Sequence, residues 1–295
     1  MGLTKHEKSK FIGDGFIVVQ SAFDPSHPRI SAWIEGVWER CGLSSHEPES
    51  WPERVHLPSD DSLPFKEVAP EAYEKVMCLL GGEDRTKGEL CLHNGFICNF
   101  GIGRDEPWKE LKDSGGWHAD GDFFRHFLDS PEQSCLIGSY YTDVGHQGGA
   151  TLISPGSHQV VAKFLAEHPE GVLPDFVGEN RLIEKCHQFL ELTASAGDIV
   201  IMHPFMLHSS SQNKNGQVRL MNNNNLGLKH NLNFNRPDQA YSLVESAILN
   251  ALHLQNLDFS IVGEREEIIP PRLRQAVNAD GHCPPMGEDA TSSCR

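Results

Sequence analysis

The chain after Gly88 consists of short segments rich in Ile, Val, Leu, Tyr and Phe, and this pattern limits its fold more than any other feature. Turn residues such as Gly148-Gly149 and Gly197-Asp198 separate the segments. Short strands without regular helices between them are typical of an antiparallel barrel or a double-sheet jelly roll. The sequence therefore predicts a mainly β core over about residues 88–228. Its expected strands are residues 90–100, 135–142, 150–153, 188–192, 199–202 and 217–221.

Helical patterns flank this core on both sides. Residues 28–41 place apolar side chains at helical spacing on one face, which predicts an amphipathic helix. A second helix is expected over 71–80, where Gly81-Gly82 would end it, with a helical insert at 160–167 and a C-terminal helix at 238–254. We expect one domain over residues 1–277, followed by a polar, disordered tail at 278–295.

Composition argues against several classes of partner. The 295 residues include 25 basic and 41 acidic side chains, a formal charge of −16, with no basic run, so the surface would repel a nucleic-acid backbone. The eight cysteines form no C-x-x-C pair, and no apolar run reaches the roughly 20 residues that span a bilayer. The N-terminus has no apolar signal core. We therefore expect a cytoplasmic protein that acts on a small molecule, with no nucleic-acid or membrane partner.

The segment GGWHADGD, residues 115–122, contains candidate metal ligands. His118 and Asp120 lie two positions apart, and in a β-strand such side chains point to the same face. A distant histidine, His208 in FMLHSSSQNKNGQVRL, would complete a set of two histidines and one carboxylate. This set leaves coordination positions open and is typical of non-haem Fe(II) oxygenases.

Several ordered motifs together resemble one known family. They are the His-X-Asp motif, the distal histidine, an arginine eleven residues after it (Arg219), GGATLISPGSH at 148–158 and FIGDGFIVV at 11–19. The set, covering roughly residues 11–225, resembles the phytanoyl-CoA dioxygenase-like family of Fe(II)/2-oxoglutarate-dependent oxygenases. The resemblance departs at Gln159, where family members frequently carry arginine, so no substrate contact is carried over to that position.

The resemblance implies a fold, a reaction and cofactors. The fold would be a double-stranded β-helix, the cupin-like jelly roll, with flanking helices. The enzyme would use Fe(II), 2-oxoglutarate and O2 to oxidise a C–H bond of a small-molecule metabolite and release succinate and CO2. The carboxylate at Asp120, where related halogenating enzymes carry Ala or Gly, favours hydroxylation over halide transfer.

The resemblance also implies roles for individual residues. His118, Asp120 and His208 would bind the metal. A planar guanidinium can hold a carboxylate bidentately, so Arg219 would bind the distal carboxylate of 2-oxoglutarate. Ser210, on the same strand face as His208, would assist it. Asn99 would contact 2-oxoglutarate from the preceding strand, although it also fits a strand-end turn.

Some positions have rival interpretations. Asp122 is a second candidate carboxylate, and His203 a second candidate for the distal histidine, although Pro204 would interrupt strand pairing beside it. Trp117 could line a pocket or belong to the core. Asparagines at 222–225 are unusual in a strand and indicate a strand end. If the strand continues, Asn223 and Asn225 share the face of Arg219 and could bind a polar substrate.

Two other functions are compatible with these residues. A cupin-type metalloenzyme could use the triad without 2-oxoglutarate, although Arg219 argues against it. A sensor or pseudoenzyme could bind the metal and 2-oxoglutarate without turnover. Oxygen-dependent succinate release distinguishes the oxygenase from both.

Overall fold

A computed structural model describes residues 2–270 of the chain. The α-helices in this part are α1 (Lys5–Asp14), α2 (Pro28–Glu35), α3 (Val37–Cys41), α4 (Phe65–Val68), α5 (Pro70–Leu80), α6 (Ser157–Ala166), α7 (Phe176–Glu179) and α8 (Leu243–Leu252). The strands are β1 (Phe16–Val19), β2 (Arg54–His56), β3 (Ser62–Pro64), β4 (Thr86–Lys87), β5 (Cys91–His93), β6 (Ile97–Asn99), β7 (Leu136–Tyr140), β8 (Thr151–Ile153), β9 (Leu190–Leu192), β10 (Ile199–Met202), β11 (His208–Ser210), β12 (Arg219–Asn225) and β13 (Gly227–Leu228). Short 3-10 helices occupy Pro48–Ser50, Glu83–Arg85, Leu111–Ser114 and Leu182–Lys185.

Two antiparallel sheets form the centre of the molecule. The larger has the strand order β1-β10-β7-β12-β6-β2, and the smaller has the order β11-β8-β9. An isolated bridge between His118 and His208 adds one residue pair at the β11 edge of the smaller sheet. The remaining strands form two separate two-stranded sheets, β13-β4 and β3-β5.

Alternate residues of the strands enter two different apolar clusters. Tyr140 of β7 and Met221 of β12 share one cluster with Ile153 of β8, so this cluster joins the two sheets across their facing surfaces. Ile137 of β7 and Leu220 of β12 belong to the other cluster, which also contains the buried side chains of the helices. This division follows from the two-residue period of a strand, which directs alternate side chains to opposite faces of the sheet. The side chains on the facing surfaces of the two sheets form the interior between them.

Helices near the two ends of the described chain pack together. α1 begins with a capping box between Thr4 and Glu7, and α8 with one between Ser242 and Glu245. Each N-cap of this kind stabilises a helix by about 1 kcal/mol. α1 contacts α8, and both contribute to the cluster on the outer face of the larger sheet.

Most predicted helices are confirmed with adjusted bounds. α5 matches the helix predicted at 71–80, and α6 and α8 match the insert and the C-terminal helix. The prediction of one helix over 28–41 is wrong, because the chain divides at Gly36 into α2 and α3. Glycine costs about 1 kcal/mol in a helix interior, which favours a break there. α1 was not predicted because Phe11 is its only buried residue and no apolar period marks it.

The strand predictions differ from the structure mainly at their ends. The segment 90–100 forms two strands, β5 and β6, because the chain turns at Asn94-Gly95. The Asn94 side-chain oxygen accepts hydrogen bonds from the backbone N–H groups of Asp60 and Asp61, both at 3.0 Å, and so fixes this turn. β12 runs on to Asn225, beyond the predicted end at 221.

Two other expectations concern the chain as a whole. The tail at 278–295 lies outside the described residues, and the single domain over 1–277 stays a prediction. None of the helices in the described part has the length and apolar character needed to cross a bilayer.

Candidate metal and co-substrate site

The two histidines of the predicted triad lie directly opposite each other. The backbone N–H of His118 donates to the carbonyl of His208, and the reverse bond also forms, both at 3.0 Å. Residues that exchange both hydrogen bonds in an antiparallel pair have side chains on the same face. The two imidazole rings accordingly lie 4.3 Å apart between centroids.

Asp120 completes a compact group with these rings. Its Oδ1 atom lies 3.3 Å from Nε2 of His118 and 3.2 Å from Nε2 of His208. One ligand atom from each of the three residues lies within 4.8 Å of the others. The expectation that Asp120 occupies a strand is wrong, because the chain bends at this residue after the single His118 bridge. The rival carboxylate, Asp122, is not part of this group.

Backbone carbonyls set the orientation of both imidazoles. Nδ1 of His118 lies 2.7 Å from the carbonyl of Gly116, and Nδ1 of His208 lies 3.1 Å from the carbonyl of Met206. A carbonyl only accepts, so each Nδ1 carries the proton and each Nε2 has a free lone pair in the neutral ring. This is the tautomer that metal-binding histidines use when a second group holds the opposite nitrogen.

The charges of the three side chains depend on one another. Burial alone would raise the pKa of Asp120, but His208 and His118 hold it far below its usual range. Burial would lower the pKa of His118, but Asp120 outweighs this and raises it. The group therefore favours a carboxylate facing positive charge, which a divalent cation can supply in place of protons.

Arg219, the first residue of β12, is a buried cation without an anion. Its side chain is 2% exposed, and no carboxylate in residues 2–270 lies within ion-pair distance. Its Nε atom is buried without a hydrogen-bond partner. Burial lowers the pKa of the guanidinium to about 10, so it remains charged at neutral pH. Such a group calls for an anionic ligand.

Ser210 and Asn99 occupy different environments. Ser210 lies two residues after His208 on β11, which gives it the same face, and its hydroxyl makes no hydrogen bond to the described residues. Asn99 pairs directly with Arg219 across β6 and β12. Its amide is already used, because Oδ1 accepts from the backbone of Ile102 at 3.1 Å and Nδ2 donates to the carbonyl of Ser211 at 3.4 Å. Its contact with 2-oxoglutarate stays a prediction.

Tyr140 is a candidate that the sequence did not indicate. Its hydroxyl is buried beside the Thr151 side chain, and it is near enough to Arg219 for the two groups to interact electrostatically. Burial raises the pKa of this phenol, so it stays neutral and can donate a hydrogen bond. The only signal was its place in an expected strand, where alternation directs either Tyr140 or Tyr141 inward.

His203 and Trp117 lie outside the metal-competent group. The ring of His203 is fully buried, 5.9 Å from that of Phe11 and 5.0 Å from that of His158. Trp117 is mostly buried and its indole N–H donates to the carbonyl of Lys112 at 3.0 Å. Both side chains are packed within the fold.

The segment that carries these residues matches a known family. Residues 109–221 match the family model described as Phytanoyl-CoA dioxygenase (PhyH), and this range includes the triad and Arg219. The segment is a phytanoyl-CoA dioxygenase (PhyH) domain. The resemblance seen in the sequence is thereby confirmed. The match indicates an Fe(II)- and 2-oxoglutarate-dependent oxygenase, an oxidoreductase that also uses O2.

Several solved structures are similar in fold to the chain with the PhyH domain. AviO1 from Streptomyces viridochromogenes Tue57 is 18% identical, with a TM-score of 0.44 over 75% of this chain and 93% of that one. The non-heme alpha ketoglutarate dependent carbocyclase SnoK from nogalamycin biosynthesis is 17% identical, with a TM-score of 0.41 over 77% and 84%. HygX from Streptomyces hygroscopicus, solved with nickel and 2-oxoglutarate bound, is 13% identical, with a TM-score of 0.44 over 78% and 88%. No curated protein matches the chain.

Proposed function

We propose that the protein hydroxylates a C–H bond of a small-molecule metabolite, with His118, Asp120 and His208 as the iron ligands. Arg219 would hold the distal carboxylate of 2-oxoglutarate, assisted by the hydroxyls of Ser210 and Tyr140. The two sheets would form the double-stranded β-helix of this enzyme class, with the triad and Arg219 facing the interior between them. The cytoplasmic location expected from the sequence stays a prediction.

The unpaired guanidinium of Arg219 carries the proposal. Placing a charge in a protein interior without a partner costs several kcal/mol, so a fold keeps such a group only where a ligand compensates it. A carboxylate suits the planar fork of arginine. The hydroxyls of Tyr140, which interacts with Arg219, and of Ser210, on the His208 face of β11, could donate to the same anion. A metalloenzyme that bound no anionic ligand would leave this guanidinium uncompensated.

The donor atoms of the triad suit Fe(II). Two neutral imidazole nitrogens and one carboxylate oxygen are the donor set of non-haem Fe(II) sites, and these three residues would hold the metal. Bound iron with 2-oxoglutarate and O2 supplies the oxidising chemistry in this enzyme class, while the protein provides orientation. Gly116 and Met206 carbonyls keep both Nε2 atoms directed at the shared position, and Asp120 provides the negative charge. Arg219 fixes the far end of the co-substrate.

Anaerobic titration of the protein with Fe(II) and 2-oxoglutarate tests the proposal. A weak visible charge-transfer band should appear when both bind. Arg219→Gln should weaken 2-oxoglutarate binding on the order of 100-fold, because it removes a buried charged contact. Arg181→Gln, at an exposed arginine that pairs with Glu184, is the matched control and should change nothing.

Two results would contradict the assignment. One is a well-folded wild-type protein that forms no band. The other is an Arg219→Gln variant that binds 2-oxoglutarate as tightly as the wild type. Oxygen-dependent succinate release then separates an active oxygenase from a sensor that binds the same ligands.

A further inference from the structure

Four consecutive asparagines end the strand that begins with Arg219. Residues 222–225 are all asparagine and all belong to β12, although asparagine is depleted in strands. Residues that break a local rule inside a regular element commonly serve a function. The asparagine side chains on the two faces of the strand differ in their burial and hydrogen bonding.

The even-numbered asparagines are fixed in the protein core. Nδ2 of Asn222 donates to the carbonyl of His93 at 2.7 Å and to the hydroxyl of Tyr141 at 2.9 Å. Asn224 donates to Oδ1 of Asn222 at 3.1 Å. Both side chains are buried. Their hydrogen bonds explain their presence without any ligand.

The odd-numbered asparagines make no such bonds. Asn223 and Asn225 lie on the face of Arg219 and Met221, since side chains alternate along β12. Neither side chain hydrogen-bonds to a described residue, and Oδ1 of Asn225 is buried without a partner. Both residues are partly exposed, so part of each side chain is accessible to a ligand.

The strand residues beside these two amides are apolar. Asn223 pairs with Gly138 and Asn225 with Leu136 on β7, and Val200 and Met202 follow on β10. A Cβ at Gly138 would lie 3.4 Å from both Met221 and Val200. Because glycine has no side chain, nothing projects from the sheet at this position. The two amides therefore lie on an apolar part of the sheet surface.

Arg219 and the two asparagines lie on opposite sides of a contact between the sheets. The Thr151 hydroxyl lies 3.3 Å from the sulfur of Met221, which joins β8 to β12. Upstream of Thr151, a Cβ at Gly149 would collide with the amide of Asn99, the register partner of Arg219. β8 therefore starts near Arg219 and runs away from it.

The distal histidine lies on the asparagine side of that contact. His208 pairs with Ile153 at the far end of β8, two residues beyond Thr151. A co-substrate that reaches from Arg219 to the triad would leave the face of Asn223 and Asn225 free, on the side where His208 lies. This face is where a second ligand could approach the reacting centre.

We propose that Asn223 and Asn225 bind the substrate and select an uncharged molecule with hydrogen-bonding groups on an apolar frame. This inference rests on the proposed function of the same site. An amide donates and accepts, so the pair can bind a carbonyl, a hydroxyl or another amide. A carboxylate or ammonium group would lose hydration against these apolar strand residues, and none of them offers it an ion pair.

Matched small molecules with one carbon skeleton test the selection. The probes are a primary amide, an alcohol, a carboxylate and an amine of each of several linear and cyclic skeletons. Each is added to the anaerobic protein with Fe(II) and 2-oxoglutarate, and perturbation of the charge-transfer band reports binding. We expect the amides and alcohols to perturb the band. Asn223→Leu and Asn225→Leu should each weaken this binding at least about ten-fold, the effect of one lost hydrogen bond to a buried group.

Two further variants distinguish a ligand contact from a structural role. Asn223→Asp should shift the preference from amides to amines, because it adds a charge to the face. Asn224→Ser, on the core side, should lower the melting temperature and keep the wild-type ligand preference. If a leucine variant does not fold, Asn223→Ser and Asn225→Ser replace it and should show the same weakening.

Three outcomes overturn the inference in a protein that forms the band normally. They are a preference for carboxylates or amines, unchanged binding in the variants at 223 and 225, and the absence of any effect from every probe. A missing band would instead refute the iron and 2-oxoglutarate assignment, so the two failures are distinguishable.

Discussion

Arg219 shows how a single residue can report a missing ligand. Buried arginines normally pair with carboxylates, and removing one partner of such a pair costs about 3–5 kcal/mol. In the described chain this guanidinium has no such partner, and burial has already lowered its pKa to about 10. The free protein therefore carries a cost at this position that an anionic ligand can relieve.

Replacing the charge should stabilise the free protein. Arg219→Met keeps a long side chain in the same space and removes the buried cation, so we expect an unfolding free energy equal to or above that of the wild type. With Ni(II) present, 2-oxoglutarate should raise the melting temperature of the wild type, because it binds only the folded state. The variant should show no such increase. Thermal denaturation with and without 2-oxoglutarate measures both effects, and a variant destabilised by several kcal/mol would argue against an unpaired cation.

The two nearby carboxylates should differ in their effect on metal binding. Asp120→Ala removes an oxygen within 3.3 Å of both Nε2 atoms, so the affinity for Fe(II) or Ni(II) should fall on the order of 100-fold. Asp122→Ala serves as the matched control, because Asp122 is not in the group of three. Calorimetric titration with Ni(II) makes the comparison. Equal losses in the two variants would make Asp122 a ligand.

At the scale of elements, one buried carboxylate ties α8 to the rest of the fold. Glu245 is fully buried and bonds to Arg85 at 2.7 Å and to Arg236 at 3.0 Å, while its carboxylate also caps the start of α8. Hydrogen bonds from Arg85 and from the backbone N–H groups of Asn233 and Ser242 hold its pKa at about 2, although burial opposes them. α8 in turn packs on α1 and α6.

Removing this charge should loosen the helical layer. We expect Glu245→Gln to lower the free energy of unfolding by about 3 kcal/mol, because both arginines lose their anion in a poorly hydrated position. Glu184→Gln, in the exposed pair with Arg181, is the control and should cause no measurable change. Urea denaturation at pH 7 provides both values. Similar values for the two variants would show that burial adds nothing to the ion pair.

The elements that the sequence predicted are those with an apolar period. α5 and β10 follow such periods closely, and the turn glycines marked their ends. α1 has a single buried residue, so its capping box at Thr4 and Glu7 was its only local signal. The split of residues 90–100 into two strands depends on Asn94 bonding to a loop more than thirty residues away, which no local pattern reveals.

The candidate site divides in the same way. Spacing and resemblance indicated His118, Asp120, His208 and Arg219, because their order along the chain is itself the signal. The chain bends at Asp120, and the hydroxyl of Tyr140 is buried near Arg219. Both features depend on how distant segments pack, which local sequence does not reveal. β12 continues through four asparagines against their local propensity because all four pair with β7.

For the whole molecule, buried neutral histidines link stability to pH. Burial lowers the pKa of four histidines, to about 4 for three of them and well below the usual value for the fourth. The three are His93, His126 and His158, and the fourth is His203. In the unfolded chain they would titrate near the ordinary value of about 6.5. Between pH 6.5 and about 4, these histidines therefore bind more protons in the unfolded state than in the folded state.

The free energy of unfolding should therefore fall as the pH decreases from about 6.5 to about 4. A histidine with a depressed folded pKa contributes its full stabilisation above the unfolded pKa and loses about 1.4 kcal/mol per pH unit below it. His118 acts in the opposite direction, because Asp120 raises its pKa, so it offsets part of the loss. Urea titrations of the metal-free protein at pH 7.5, 6.5, 5.5 and 4.5 measure the slope. His158→Leu should make it shallower by one proton, and a stability that stays constant or rises over this range would mean that the buried rings accept protons in the folded state.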